Sequence, residues 1–246
     1  MKIKEIIIKN KEKIYDFSEK QKSENDEFSV EQLITGTNNY KCNGSIDSLN
    51  FIVYNRFQNK ELNEFYEKFK NELFITDTHN CMTNLEDYLK KIVNSDFDIC
   101  ITLGDISGND FEIIKKYIQV SKIYGIIGNH DSLNSLEENG INNFNGKVIE
   151  CKGIKIAGIM GSNRYKDGDY GMLSQEESIK LAQNMKSADI LVSHDKAYIY
   201  DRHDNVHDGL KGITDYIYKN HIPLHIHGHL HEEYEEILKN GTKSIC

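Results

Sequence analysis

A chain of 246 residues is long enough for one large domain, or for a domain of roughly 170 to 200 residues with an appendage. Its 39 acidic and 30 basic side chains leave a net charge of −9, which disfavours a protein that coats long nucleic acid by neutralising many phosphates. No apolar run approaches the roughly 18 residues that span a bilayer, and the five scattered cysteines contain no C-x-x-C pair, which excludes a membrane span, a disulfide framework and a thiolate zinc site. A cytoplasmic protein with reduced thiols is the expectation.

Residues 1–70 read as a small added module of unknown role. They hold the polar stretch SEKQKSENDE, a predicted strand FIVY (51–54) and a predicted helix KELNEFYEKFKNEL (60–73), and no recognisable chemistry. The second predicted domain, 71–246, alternates short apolar runs with segments of helical period, the pattern that builds an α/β domain. In order these are strand LFIT (73–76), helix NLEDYLKKIVNS (84–95), strand DICITL (98–103), helix DFEIIKKYIQVS (110–121) and strand KIYGII (122–127). KVIEC and IKIAGIM, separated by KG, suggest a hairpin. SQEESIKLAQNMK (174–186) opens with a serine and a glutamate three residues on, the signature of a capping box. Strand DILVS, helix GLKGITDYIYKN and strand PLHIH follow. The hairpin and the short strands near the C-terminus predict mixed sheets covered by helices rather than one parallel sheet.

Five segments place metal-competent side chains directly after a predicted strand. They are TDTHN (Asp77, His79), LGDIS (Asp105), GNHD (Asn129, His130, Asp131), SHD (His194) and HGHLH (His229, His231). Ligand sites in α/β sheets gather at the carboxyl ends of strands, so these loops are expected to converge on one cleft. Carboxylate, imidazole and amide oxygen together form a mixed N/O donor set suited to Mn, Fe, Zn or Ni rather than Ca. Asp77 and His79, two apart, are expected to point the same way if the strand continues, and His229 and His231 likewise. His225 is expected to be an ordinary packed or surface histidine; His227 is undecided.

The ordered string D-x-H, G-D, G-N-H-D, H, G-H-x-H resembles the calcineurin-like metallophosphoesterases over roughly residues 73–246. The resemblance implies a four-layer αββα sandwich of two mixed sheets flanked by helices. It also implies two divalent metal ions, with manganese favoured over Fe, Zn or Ni. Asp105 would bridge them; Asp77, His79 and His231 would complete one site, and Asn129, His194 and His229 the other. A water bridging the ions would attack phosphorus in line. His130 would meet the leaving-group oxygen, with Asp131 orienting its ring.

Departures from the family bear on the substrate. Ile106-Ser107-Gly108 follows Gly104-Asp105, unlike the protein Ser/Thr phosphatases of the family and unlike the tyrosine ligand of purple acid phosphatases. Asp195 follows His194, where a small residue or proline is usual, and is expected either to repel substrate phosphate or to hold a neighbouring group. GSNRYKDGDYG (161–171) and DRHDNVHDGLKG (201–212) resemble substrate-side loops, which makes Arg164 a candidate phosphate clamp and His207 a second polar contact. The expected activity is a phosphodiesterase acting on a small nucleotide-like or phosphorylated substrate, with no membrane partner. The alternatives are a nuclease and a catalytically retired metal-binding scaffold.

Overall fold

The computed structural model describes residues 72–79, 85–92, 97–168, 170–198 and 207–246. Of these, the residues up to Tyr234 together with Ser244–Cys246 belong to one unit, and Glu235–Lys243 to another. The strand expected at 51–54 and all but the end of the helix expected at 60–73 lie outside the described residues. The end of that helix, Glu72 and Leu73, is extended instead. Leu73 and Ile75 are buried with more open residues between them, a period of two that a strand satisfies and a helix does not.

Strand β1 (Glu72–Ile75) opens a series continued by α1 (Leu85–Ile92), β2 (Ile99–Thr102), α2 (Gly108–Tyr117), β3 (Ile123–Gly125), α3 (Ser135–Glu138) and β4 (Asn142–Asn143). The four strands form one sheet in the order β1-β2-β3-β4, with every pair parallel. Among the described residues this sheet is wholly parallel, because a helical crossover between successive strands returns the chain in the same direction. Leu85 and Leu89 of α1 and Phe111 and Ile114 of α2 bury one face of the sheet against Leu73, Ile75, Cys100 and Ile123.

The second sheet is mixed. Strands β5 (Val148–Cys151) and β6 (Ile154–Ile159) form the expected antiparallel hairpin. Its two turn residues, Lys152 and Gly153, both take positive φ (49° and 78°), the backbone that matches the twist of the flanking strands. A two-stranded ladder, β7 (Ser162–Asn163) with β8 (Met172–Leu173), precedes α4 (Gln175–Asn184), β9 (Ile190–Ser193), α5 (Lys211–Asn220) and β10 (Leu224–His227). Strand β11 (Glu235–Ile237) lies in the other unit, and β12 (Lys243–Ile245) brings the chain back. Within the larger unit the order is β12-β10-β9-β6-β5, with β10, β9 and β6 mutually parallel. The capping box is formed: Ser174 Oγ accepts from Glu177 N at 3.1 Å, and the Glu177 carboxylate accepts from Ser174 N at 2.7 Å.

A Cβ added to Gly158 on β6 would collide with Phe144 and Ile126, so the two sheets pack face to face with helices outside them, giving helix, sheet, sheet, helix. Register then sets where the loops leave. Ile75 pairs with Thr102 and Thr102 with Gly125; Ile159 pairs with Ser193 and Ser193 with His227. Six parallel strands, three in each sheet, therefore end level within their sheets, and all but β6 lead into the polar motifs. No helix among the described residues is long and apolar enough to cross a membrane.

Candidate metal centre

The rim loops are laced by backbone hydrogen bonds. Asp77 N donates to Gly104 O (3.0 Å) and His79 N to Asp105 O (3.1 Å), while Gly228 N donates to His194 O (3.0 Å). Asp77, His79, Asp105, His229 and His231 all take positive φ (52°, 47°, 55°, 72° and 54°). This corrects the expectation that each pair shares a side because the strand continues. The strands have ended, and left-handed turns aim the side chains instead. Left-handed backbone at non-glycine residues costs on the order of 1 kcal/mol or more each and collects at functional sites. Gly228 sits in the closest of these contacts, where a Cβ would collide with Thr76 and the Asp77 carboxylate.

The side chains converge on two overlapping clusters, Asp77 with His79 and His231, and Asp77 with Asp105 and His194. His79 Nε2 lies 3.1 Å from His231 Nε2, and Asp77 Oδ1 lies 3.3 Å from His231 Nε2. Asp105 Oδ2 stands between the groups, 3.5 Å from both His79 Nε2 and His194 Nε2. His194 Nδ1 faces the Leu103 carbonyl at 2.9 Å, an acceptor only, so Nδ1 carries the proton. Its Nε2 then presents a lone pair to Asn129 Oδ1, 2.8 Å away. Asp77 Oδ1 and Asp105 Oδ2 are buried without a hydrogen-bond partner. Buried acceptors facing one another with no proton between them are costly by themselves and suit a cation. The donor set fits divalent metal ions of the borderline class.

His229 is placed differently. Its backbone N–H donates to Asp77 Oδ2 (2.8 Å), and its ring packs beside His194 and His207, with centroids 5.1 and 5.4 Å apart. It therefore stands on the Asn129 and His194 side, with His207 beyond it. Burial pulls the Asp77 carboxyl upward, but its electrostatic interaction with the His194 ring and the hydrogen bonds from Thr76 and His229 outweigh it and hold Asp77 below the usual carboxylate range.

His130 is exposed; its backbone N–H donates to Asp105 Oδ1 (2.9 Å) and its ring meets that of His79 edge to face at 5.2 Å. The expected orienting role of Asp131 is corrected. Its Oδ2 accepts from the backbone N–H groups of Asp105 (2.7 Å) and Gly128 (2.8 Å), so it braces two rim loops rather than the His130 ring. Burial above all pushes its carboxyl up to about 6. Asp195 resolves in favour of holding: fully buried, it accepts from Lys196 N and Asn163 N, tying β7 to the end of β9. His225 is buried, between the Ser193 and Ser244 hydroxyls at 2.6 and 2.9 Å, and stacks on His227, itself buried.

Arg164 is the other correction. Its guanidinium donates to Glu177 (2.8 Å) and to Met172 O (3.3 Å), so it pins the 161–171 loop to the start of α4 rather than joining the ligand cluster. The next residue reaches the centre instead: Tyr165 Oη accepts from Asn129 Nδ2 at 3.1 Å. Lys166 Nζ lies over the Tyr165 and Tyr170 rings, 5.3 and 4.6 Å from their centroids. Sequence reasoning also missed Asp110, a buried carboxylate accepting from Thr78 Oγ1 (2.7 Å) and Ser107 Oγ (2.8 Å), which anchors the residue between Asp77 and His79. Its signal was the S-x-x-D spacing at the start of α2.

A family model described as calcineurin-like phosphoesterase matches residues 73–233. No curated protein sequence matches the chain. One solved structure shares 14% identity at a TM-score of 0.54, covering 71% of this chain and 89% of that one. TT1561 of Thermus thermophilus shares 12% identity at a TM-score of 0.51, covering 71% of this chain and 87% of its own. Phosphopantetheinyl hydrolase (PptH) from Mycobacterium tuberculosis shares 12% identity at a TM-score of 0.48, with coverages of 71% and 87%. At such identities the first two likenesses speak to the fold alone.

Proposed function

The chain belongs to the calcineurin-like phosphoesterase family, a family of metal-dependent phosphoester hydrolases, and from that premise we propose that it cleaves a small phosphodiester at a dinuclear centre. The observation that carries this reading is Asp105 Oδ2, buried without a donor and equidistant from a histidine of each group. In this reading Asp105 serves both ions, Asp77, His79 and His231 hold one, and Asn129, His194 and His229 hold the other. Mn, Fe, Zn and Ni all suit such a mixed N/O set, and manganese is the one the family resemblance favours. Bound there, the ions supply Lewis acidity toward the phosphate and acidify a water for in-line attack.

The remaining work falls to the chain itself. Asp131 and the Asp105–His130 backbone contact fix the Gly128–Asp131 turn against the Asp105 loop. That leaves the exposed His130 ring free of the ligand cluster, where it protonates or stabilises the leaving oxygen. Lys166 adds positive charge on the His130 side, since its field lowers the His130 pKa along with burial, which is the larger cause. His207 forms the opposite wall beside His229. The exposed Tyr165 and Tyr170 rings offer flat apolar surface for a planar leaving group, which favours a nucleotide-like substrate.

Turnover of a panel of mono- and diesters by chelated protein, with Mn, Ni, Zn and Mg restored in turn, tests the proposal. A diester hydrolysed fastest with Mn is the expected result. Monoesters alone, or hydrolysis indifferent to added metal, contradict it.

A further inference from the structure

We infer that Lys166 is a specificity-determining residue, whose ammonium receives a second phosphate carried on the leaving group of the substrate. The inference rests on the diester-hydrolase reading and on the leaving-group side assigned to His130.

The 161–171 loop holds two cations, and the structure treats them differently. Arg164 is committed to Glu177, 2.8 Å from its guanidinium. No carboxylate pairs with Lys166 among the described residues. Its ammonium lies instead over the rings of Tyr165 and Tyr170, 5.3 and 4.6 Å from their centroids. An aromatic face attracts a cation without cancelling its charge, as a carboxylate would. Lys166 is also half-buried while both tyrosines are exposed, so the charge rests on a defined support rather than swinging free in solvent.

The two rings fix where that charge stands. Tyr165 Oη is 3.1 Å from Asn129 Nδ2, one residue before His130. Tyr170 bridges to Ser132, two residues after it, and Gly171 N donates to Asp131 O (3.3 Å). Both supports of the ammonium are therefore fastened to the turn that carries His130, and the field of Lys166 reaches the His130 ring. The loop is shaped for this return. Its ends are paired through Ser162 with Met172 and Asn163 with Leu173. Near its tip Gly168 takes φ 132°, where a Cβ would meet the Tyr170 ring at 2.8 Å, so a side chain at 168 would push that support away.

This position decides what Lys166 reads. The phosphate under attack belongs to the ions, and His130 faces the oxygen that departs, so a cation beside His130 meets the group beyond that oxygen. A phosphate there offers three oxygens and up to about two charges, and a lysine, as a point charge, takes it in any rotation. The substrate class that follows is a nucleotide-like diester whose leaving part ends in a phosphate of its own.

Competitive inhibition of bis(p-nitrophenyl) phosphate hydrolysis by the metal-loaded enzyme tests this with adenosine 5′-monophosphate and adenosine 3′,5′-bisphosphate, which differ by one phosphate. Wild type is expected to bind the bisphosphate about 5- to 50-fold more tightly. Lys166→Met keeps an apolar stem over the rings and removes the charge, and there the advantage is expected to fall below about threefold. Lys166→Arg is expected to keep most of it. Equal inhibition by the two nucleotides in wild type, or an advantage that survives Lys166→Met, overturns the inference. A disturbed loop weakens both probes and leaves their ratio in place, which also counts against it. Metal-loaded wild type that leaves the diester intact contradicts the proposed function itself, and calorimetric binding of the same two nucleotides to that protein and to Lys166→Met then decides the question for Lys166 separately.

Discussion

Asp77 Oδ1 and Asp105 Oδ2 are two buried oxygens without a hydrogen-bond partner, set among the Nε2 atoms of His79, His194 and His231. A site of that kind is short of positive charge, and its residues divide by whether they supply lone pairs or do something else. Asp105→Asn removes the charge shared by both groups, and metal analysis of that variant is expected to show loss from both sites; two full equivalents retained would remove Asp105 as the bridge. His130→Ala is expected to keep its metal and lose about 10² to 10⁴ in turnover, the span of a positioned acid. Metal lost together with activity would make His130 a ligand. The Arg164 ion pair is exposed, so Arg164→Lys is expected to leave kcat/KM within about threefold of wild type and to cost under about 1 kcal/mol in a denaturant titration. A drop of a hundredfold would restore Arg164 as a phosphate contact. Residues of the motifs were legible in the sequence because their identities carry the chemistry. The work of Asp131, Asp110 and Tyr165 was not, because a hydrogen bond to an atom in a distant loop leaves no period or spacing behind.

At the scale of elements, periodicity located the main strands and helices and left their ends and the shortest pieces unseen. The ladder of β7 and β8, the pair Asn142–Asn143 and the turn of helix at Ser135–Glu138 are too short for any period to register. The KG turn and the S-x-x-E cap were legible because each has a local mechanism, a left-handed pair in one case and reciprocal hydrogen bonds in the other. Long-range closeness had no such signal. Gly212 on α5 donates its N–H to Ser178 Oγ (3.1 Å) on α4, and a Cβ there would collide with the Ser178 carbonyl. Gly212→Ala is therefore expected to force these helices apart and destabilise the protein by about 1 to 3 kcal/mol in denaturant, with activity per folded molecule retained. An unchanged denaturation midpoint would mean that the helices part at no cost.

For the molecule as a whole, two titratable groups, one buried and one half-buried, set opposite limits on pH stability. His225 is held neutral, above all by burial, with its pKa well below 6.5; protonation favours the unfolded chain, so its contribution is full above about pH 6.5 and falls as pH drops below it. Glu72 is the reverse. Neither carboxylate oxygen is reached by an N–H or O–H donor, and burial, partly offset by the Cys151 thiol, pushes its pKa from 4.5 up to about 7. A raised acid is stable while protonated, so stability falls as pH rises from 4.5 through 7. Glu72→Gln is expected to gain about 1 to 2 kcal/mol at pH 8, after discounting for solvent screening of a partly exposed group, and nothing at pH 4.5. Equal effects at both pH values would assign the change to packing rather than to charge.

The functional expectations hang on one arrangement, two proposed groups of ligands joined through Asp105 where the parallel strands end. Its most direct test is stepwise addition of Mn²⁺ to fully chelated wild-type protein, with bound metal and the hydrolysis of bis(p-nitrophenyl) phosphate followed in the same samples. Two equivalents bound, with hydrolysis appearing only as the second site fills, is the predicted result. Full hydrolysis at one equivalent, or saturation at a single ion, would contradict it.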